Sequence, residues 1–364
     1  MLKLSFMKKN IKFLLVIFTV ALSACKKKDG SAEPIMAAPT TTKEYSFDTD
    51  ANSGLMFQDN EPMATFTAED RRYEIGKVLR VKAVNESTIE IANFAPVDIE
   101  DATILISIQG MASPVKLIRV KKIRAHAIQQ IKYPFIEGTK KFFDTNNNEV
   151  DLSKYQTDGI APSQVSFDFT GETELIKKLK KLAKLKWTIK YHDFDTNDDP
   201  KDNWKENPTA KDIRRFSGFI IDLAYSLQED VTHTAFVNEP IIDNDGVTFM
   251  TTAQKEAVYQ KIMDIPKFNC GVVSTVNGVQ GLGGGSTFGM EEAFVLNNFM
   301  KYNVAGMAMH EIGHMVGYSH SSSMTYEING HGATIPMGPI YRDLIAKNEL
   351  PIRPTNYYRL SDFP

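Results

Sequence analysis

His310-Glu311-Ile312-Gly313-His314-Met315-Val316-Gly317-Tyr318-Ser319-His320 gathers three of the chain's seven histidines and one glutamate into eleven residues. On a helix, His310 and His314 are four residues apart, so both imidazoles leave one face and can reach one ion. Glu311 then sits beside that ion without having to ligate it, placed to hold a water and take its proton. Gly317 tolerates the positive φ at which a helix stops and the chain turns sharply, which lets His320 swing back as a third nitrogen ligand. Three protein ligands leave the fourth corner of a tetrahedral zinc site for water or substrate, as a catalytic site requires and a closed structural site does not. The helix carrying these residues is expected over 303–317.

The run matches every fixed position of H-E-x-x-H-x-x-G-x-x-H and so resembles the signature of the metzincin clan of zinc endopeptidases. The string HEIGH at 310–314 is also similar to the bacterial dual-action HEIGH metallopeptidases. The resemblance spans about 40 residues around the motif. It implies a split α/β catalytic domain with a horizontal cleft, zinc on His310, His314 and His320, Glu311 as general base, and a methionine in a turn beneath the metal. Ser322-Ser323-Met324-Thr325-Tyr326 fits the S-x-M-x-Y form of astacin-like and serralysin-like members, in which the tyrosine, here Tyr326, can approach the zinc. Met324 nevertheless follows His320 by only four residues, at most about 13 Å of stretched chain. Met337-Gly338-Pro339-Ile340-Tyr341 resembles the M-x-P-x-Y run of matrix metalloproteases, with Tyr341 as its tyrosine. Its seventeen-residue lead after His320 leaves ample chain to pass under the metal, so Met337 is favoured over Met324 for the turn.

At the opposite end, residues 1–24 carry lysines at 3, 8, 9 and 12 and an apolar stretch over 13–21, too short for a comfortable membrane span and patterned as a secretory signal. Leu22-Ser23-Ala24-Cys25 resembles the bacterial lipobox, which implies acylation of Cys25 and an exported protein attached to a membrane through its lipid, at the outer membrane or cell surface. The lysine-led, Ser/Ala/Pro/Thr-rich stretch over 25–44 is then a solvated tether. Of two cysteines in all, lipidation of Cys25 leaves Cys270 without a disulfide partner, as a buried structural thiol.

Between tether and motif the pattern changes once. Segments 88–94, 102–109, 115–120, 125–133 and 164–169 are rich in β-branched and aromatic residues, alternate in part, and are separated by Asn, Asp, Pro and Gly. They predict a small β-sandwich-like domain over 45–171. From residue 172 the periodicity is helical: a lysine-faced helix over 172–185, a strand over 186–194, a long amphipathic helix over 210–228 started by Pro208 and Thr209, and a further helix over 252–263. Strands are expected over 270–276 and 286–290 around a glycine-rich rim at 281–285, with the peptide-binding edge somewhere in 271–289, and a closing helix over 339–347. The whole reads as α+β: the sandwich, then a metzincin-like α/β catalytic domain over 172–364 with a short C-terminal subdomain.

Two acidic stretches offer oxygen ligands for a structural calcium, Asp193, Asp195, Asn197, Asp198 and Asp199 first, and Asp144, Asn146, Asn148 and Asp151 second. Both lack the glycine and terminal glutamate of an EF-hand, and exposed turns are the simpler expectation. Forty-two Lys and Arg against 45 Asp and Glu, a net charge of −3, give no basic field for nucleic acid. The expected function is a zinc-dependent, lipid-anchored endopeptidase acting on a peptide or protein substrate. The alternatives are a surface binding lipoprotein with a vestigial zinc site, or a zinc amidase acting on cell-wall or glycan-linked amides.

Overall fold

Alternating apolar residues build the first half of the chain into two sheets. In the computed structural model, which describes residues 42–194 and 203–364, Ile99–Ile108 and Val115–Ile123 pair antiparallel, with Val165–Thr170 on the outer side of the first and Lys43–Phe47 parallel to the second. Ile104, Ile106 and Ile108 alternate into the core, as a strand with one covered face requires. A second, antiparallel sheet runs Gly54–Leu55, Ala127–Lys132, Thr88–Asn93, Leu79–Ala83. The five strands expected from the sequence are all present here, their ends displaced by up to three residues.

The second half is organised around a mixed sheet of β1 (Tyr73–Glu74), β2 (Thr188–Tyr191), β3 (Phe268–Val273), β4 (Gly281–Gly284) and β5 (Thr287–Glu291), in the order β4-β5-β3-β2-β1. Strands β2, β3 and β5 are parallel, and an antiparallel strand closes each edge. The chain is thus α+β. The sequence boundary at 171/172 is bridged by backbone hydrogen bonding, because β1 comes from the first half and pairs Tyr73 with Ile189 and Glu74 with Thr188. Thr41–Pro364 forms one compact unit, with a single cluster of buried apolar side chains drawn from all three sheets.

Among the described residues six helices of eight residues or more pack on this framework: α1 (Glu174–Lys181), α2 (Ala210–Gln228), α3 (Asp230–Asn238), α4 (Thr252–Met263), α5 (Ala305–Met315) and α6 (Thr334–Ala346). Helix α2 starts where the sequence indicates, since Thr209 and Asp212 form a reciprocal capping box. All its residues but Lys211 are buried, which makes it the central helix. Its Arg214 is fully buried and holds Asp362 of the C-terminal tail with two bonds, at 2.8 and 2.6 Å, while donating to the Phe57 carbonyl at 2.7 Å. Helix α3 lies in a stretch with no sequence expectation. Helix α6 starts five residues before the expected 339 and contains Pro339. The expected leader over 1–24, Cys25 with most of the tether, and Asp195, Asn197, Asp198 and Asp199 lie outside the described residues. Among the described residues no helix is long and apolar enough to cross a membrane.

Candidate metal centre

Helix α5 delivers His310, Glu311 and His314, and its end delivers His320. The Gly317 amide donates to the His314 carbonyl and the Tyr318 amide to the Gly313 carbonyl, both at 3.0 Å, with Gly317 at φ +98°. This is the Schellman termination that a glycine at that position permits, and it reverses the chain so that His320 returns to the helix.

The three rings meet through their Nε2 atoms. His314 Nε2 lies 3.1 Å from His310 Nε2 and 2.9 Å from His320 Nε2, and the ligand atoms of all three fall within 4.8 Å of one another. A tetrahedral zinc with Zn–N of about 2.0–2.1 Å needs nitrogens about 3.3 Å apart. Tautomers follow from the outer partners. His310 Nδ1 lies 2.8 Å from the Thr325 carbonyl and His314 Nδ1 lies 2.7 Å from the Tyr318 carbonyl; carbonyls only accept, so both Nδ1 atoms carry the proton. In the neutral rings the Nε2 lone pairs therefore face each other, an arrangement that repels by itself and that a cation between them reverses. Burial, together with the neighbouring imidazoles, holds His310 and His314 below the ordinary imidazole pKa, which favours the neutral, ligating form. The donor set fits zinc, with each of these two rings braced from behind by a backbone carbonyl.

Glu311 points to the same place from the neighbouring position, its Oε1 3.8 Å from His310 Nε2. It is buried, and that burial pushes its carboxyl up to about 7. The cover is β4. An added Cβ at Gly281 would stand 2.5 Å from Glu311 Oε1, and one at Gly283 would overlap the Glu311 main chain. The glycine-rich run expected as a flexible rim is thus the antiparallel edge strand of the sheet, lying directly on α5. A cleft of about 980 Å³ is lined by Gly281, Leu282 and Gly283 of this strand, by Met307 of α5 and by Tyr326 and Ile335 after the motif. Among the described residues no lysine or arginine lines it.

The methionine expectation is corrected. Met337 lies inside α6 and is not in a turn. Met324 is the methionine in the loop beneath the site: it is fully buried, its neighbour Thr325 supplies the carbonyl that braces His310, and a Cβ at Gly313 would stand 2.9 Å from the Met324 carbonyl oxygen. Four residues suffice because turns closed by Ser322 N–H to Ser319 O and Thr325 N–H to Ser322 O fold the chain back at once. Gly313 inside HEIGH is the sequence signal for this close passage. Of the two tyrosines, Tyr326 is exposed in the cleft, its ring centroid 4.4 Å from that of His310 and 4.8 Å from that of His320. Tyr341 is fully buried and donates to the Phe299 carbonyl at 3.0 Å, away from the cleft.

A hairpin with no sequence expectation supports the same loop. The Ile242 carbonyl accepts from Ser322 Oγ at 2.6 Å, and the Ile242 amide donates to Ser323 Oγ at 2.7 Å. Its signal is Asp245-Gly246, a turn pair between Ile241-Ile242 and Val247-Thr248-Phe249-Met250. The second acidic stretch is a turn: Asp144 Oδ1 accepts from the Asn146 and Asn148 amides and Oδ2 from Asn148 Nδ2. Cys270 is a buried free thiol, pushed up by burial. Among the described residues His310, His314 and His320 form the sole group of three metal-ligating side chains; His331 packs against Phe249 instead. The chain matches no protein-family model, no curated protein and no solved structure.

Proposed function

We propose that the protein is a zinc-dependent endopeptidase of metzincin type, exported and held at a membrane through lipid on Cys25. The observation that carries this reading is the convergence of three Nε2 atoms beside a buried carboxyl group in an open cleft bounded by a strand edge. Zinc, when bound, supplies the Lewis acid that polarises a scissile carbonyl and acidifies a water.

The remaining chemistry belongs to the chain. His310, His314 and His320 would hold the ion. Glu311, made more basic by burial, takes a proton from the attacking water and returns it to the departing amine nitrogen. Tyr326 can donate its hydroxyl to the carbonyl oxygen as charge develops there. The outer edge of β4 offers main-chain donors and acceptors to an extended peptide, an arrangement suited to unfolded segments of a protein substrate. The anchoring rests on the Leu22–Cys25 sequence.

The test is purification with metal analysis and cleavage of an unfolded protein. Wild type is expected to carry about one zinc and to cleave; Glu311→Ala keeps zinc and loses turnover, and His314→Ala loses both. Cleavage that persists in Glu311→Ala or after exhaustive chelation rules the mechanism out.

A further inference from the structure

We propose that Asn244, about 75 residues before the third histidine in sequence, is a positioning residue for His320 and so sets the affinity of the metal centre. The proposal rests on the three-histidine reading above. Each of the other two ligands has its ring held from behind by a carbonyl, but among the described residues no hydrogen bond fixes Nδ1 of His320, and its side chain is exposed. Where His320 stands is therefore decided by its backbone, the three residues that leave α5 at Gly317.

Those residues are gripped from outside by one side-chain amide. Asn244 Nδ2 donates to the Gly317 carbonyl at 3.1 Å, and its Oδ1 accepts from the Ser319 amide at 2.9 Å and from Ser319 Oγ at 3.3 Å. The two halves of the amide have opposite hydrogen-bonding character and each meets its complement, so the group satisfies both sides of the turn at once. Lys261 of α4 adds a second strut, donating to the Val316 carbonyl at 2.6 Å, where a cation also complements the helix terminus. The hairpin carrying Asn244 is anchored to the Met324 loop through Ile242. It thus fixes the chain on both sides of His320, at 317–319 and at 322–323. Groups that orient metal ligands in this way typically change affinity 10–100-fold when removed.

The experiment measures zinc affinity by competition with a chromophoric chelator, and the visible spectrum of the cobalt(II)-loaded protein, for wild type, Asn244→Ala, Asn244→Ser and Asp245→Ala. Asn244 is exposed, so both of its substitutions leave the core intact, and serine keeps a polar turn residue should alanine fold poorly. Asp245 is the internal control: its carboxylate accepts from Val247 and Thr248 within the hairpin, and no hydrogen bond among the described residues joins it to 317–323. The expected result is a zinc dissociation constant raised roughly 10-fold or more in both Asn244 variants, with an altered cobalt spectrum, and less than threefold change in Asp245→Ala. Unchanged affinity and spectrum in the Asn244 variants overturns the proposal and leaves the metal centre standing, as does an equal loss in Asp245→Ala. A wild-type protein that takes up neither metal overturns the three-histidine reading, and this proposal with it.

Discussion

Gly281 lies on Glu311 so closely that one added carbon would stand 2.5 Å from its Oε1. The edge strand of the sheet and the carboxylate of the motif are therefore one packed unit. Substituting Gly281→Ala is expected to push the strand and the carboxylate apart by a fraction of an ångström to an ångström. Displacements of that size cost up to about 100-fold in turnover. Zinc content stays unchanged, because the histidines are not touched. Turnover on an unfolded substrate together with metal analysis checks both halves, and activity within twofold of wild type would show that the strand yields without consequence.

The two candidate tyrosines are separable by experiment. Tyr326→Phe removes a hydroxyl from the cleft and is expected to lower kcat at least about tenfold with KM and melting temperature nearly unchanged, as for loss of an interaction made in the transition state. Tyr341→Phe leaves the Phe299 carbonyl without its donor and is expected to cost about 1–3 kcal/mol of stability with normal kcat. The reverse pattern would return Tyr341 to the site.

Much of this architecture is legible in the sequence where one local signal dominates. Helix α2 begins and ends as expected because Thr209 and Asp212 cap it and its apolar residues repeat at helical spacing. The strands at 88–93 and 165–170 follow from β-branched and aromatic residues that alternate in part. The three histidines and Glu311 come together because i,i+4 spacing and a glycine stop are local facts. What escapes is decided by partners distant in sequence. Gly281–Gly284 has little strand propensity; it pairs with β5 and lies against α5, and at Gly281 and Gly283 a side chain would run into Glu311. The length of chain from His320 to Met324 reads as too short until the consecutive turns are seen and Gly313 is understood as the gap through which the loop passes. Asn244 has no mark at all in its own neighbourhood beyond a hairpin turn.

His126 makes the fold acid-sensitive. It is fully buried against the edges of Phe57 and Tyr358, and neither ring nitrogen has a hydrogen-bond partner. Burial, with the charge of Arg214, holds its pKa down to about 3 from the ordinary 6.5. The unfolded chain thus binds a proton that the folded one refuses. The stability involved is fully present above about 6.5 and is lost progressively as pH falls from there towards about 3. At pH 4.5 the loss from this group is about 2–3 kcal/mol. Asparagine tolerates the positive φ of 55° at this position. His126→Asn is expected to be less stable than wild type at pH 7, with the gap narrowing by about 2 kcal/mol at pH 4.5 in urea unfolding. A gap independent of pH would place the acid sensitivity elsewhere.

Arg214 and Asp362 are nearly sealed from solvent and pair bidentately. Arg214→Ala leaves the buried Asp362 carboxylate with only Tyr357 Oη and the more distant Arg359 as partners and is expected to cost about 3–5 kcal/mol. The double variant Arg214→Met with Asp362→Leu recovers part of that loss, since no lone charge remains inside. Thermal unfolding compares the two, and equal destabilisation would show that the lost contacts, not the stranded charge, set the cost.

The pairing of Tyr73 with Ile189 bears on how such an enzyme could be switched on. Many secreted proteases are activated by discarding a leading piece, and a proteolytic cut near residue 171 is the natural place to look for one here. In this fold such a cut, followed by release of the fragment, would strip a strand from the sheet beside the candidate metal centre and bare the backbone of Thr188 and Ile189 as a sticky border open to self-association. A cut near residue 171 with loss of the first half therefore removes the edge strand Tyr73–Glu74 together with the side chains that the first half adds to the shared core.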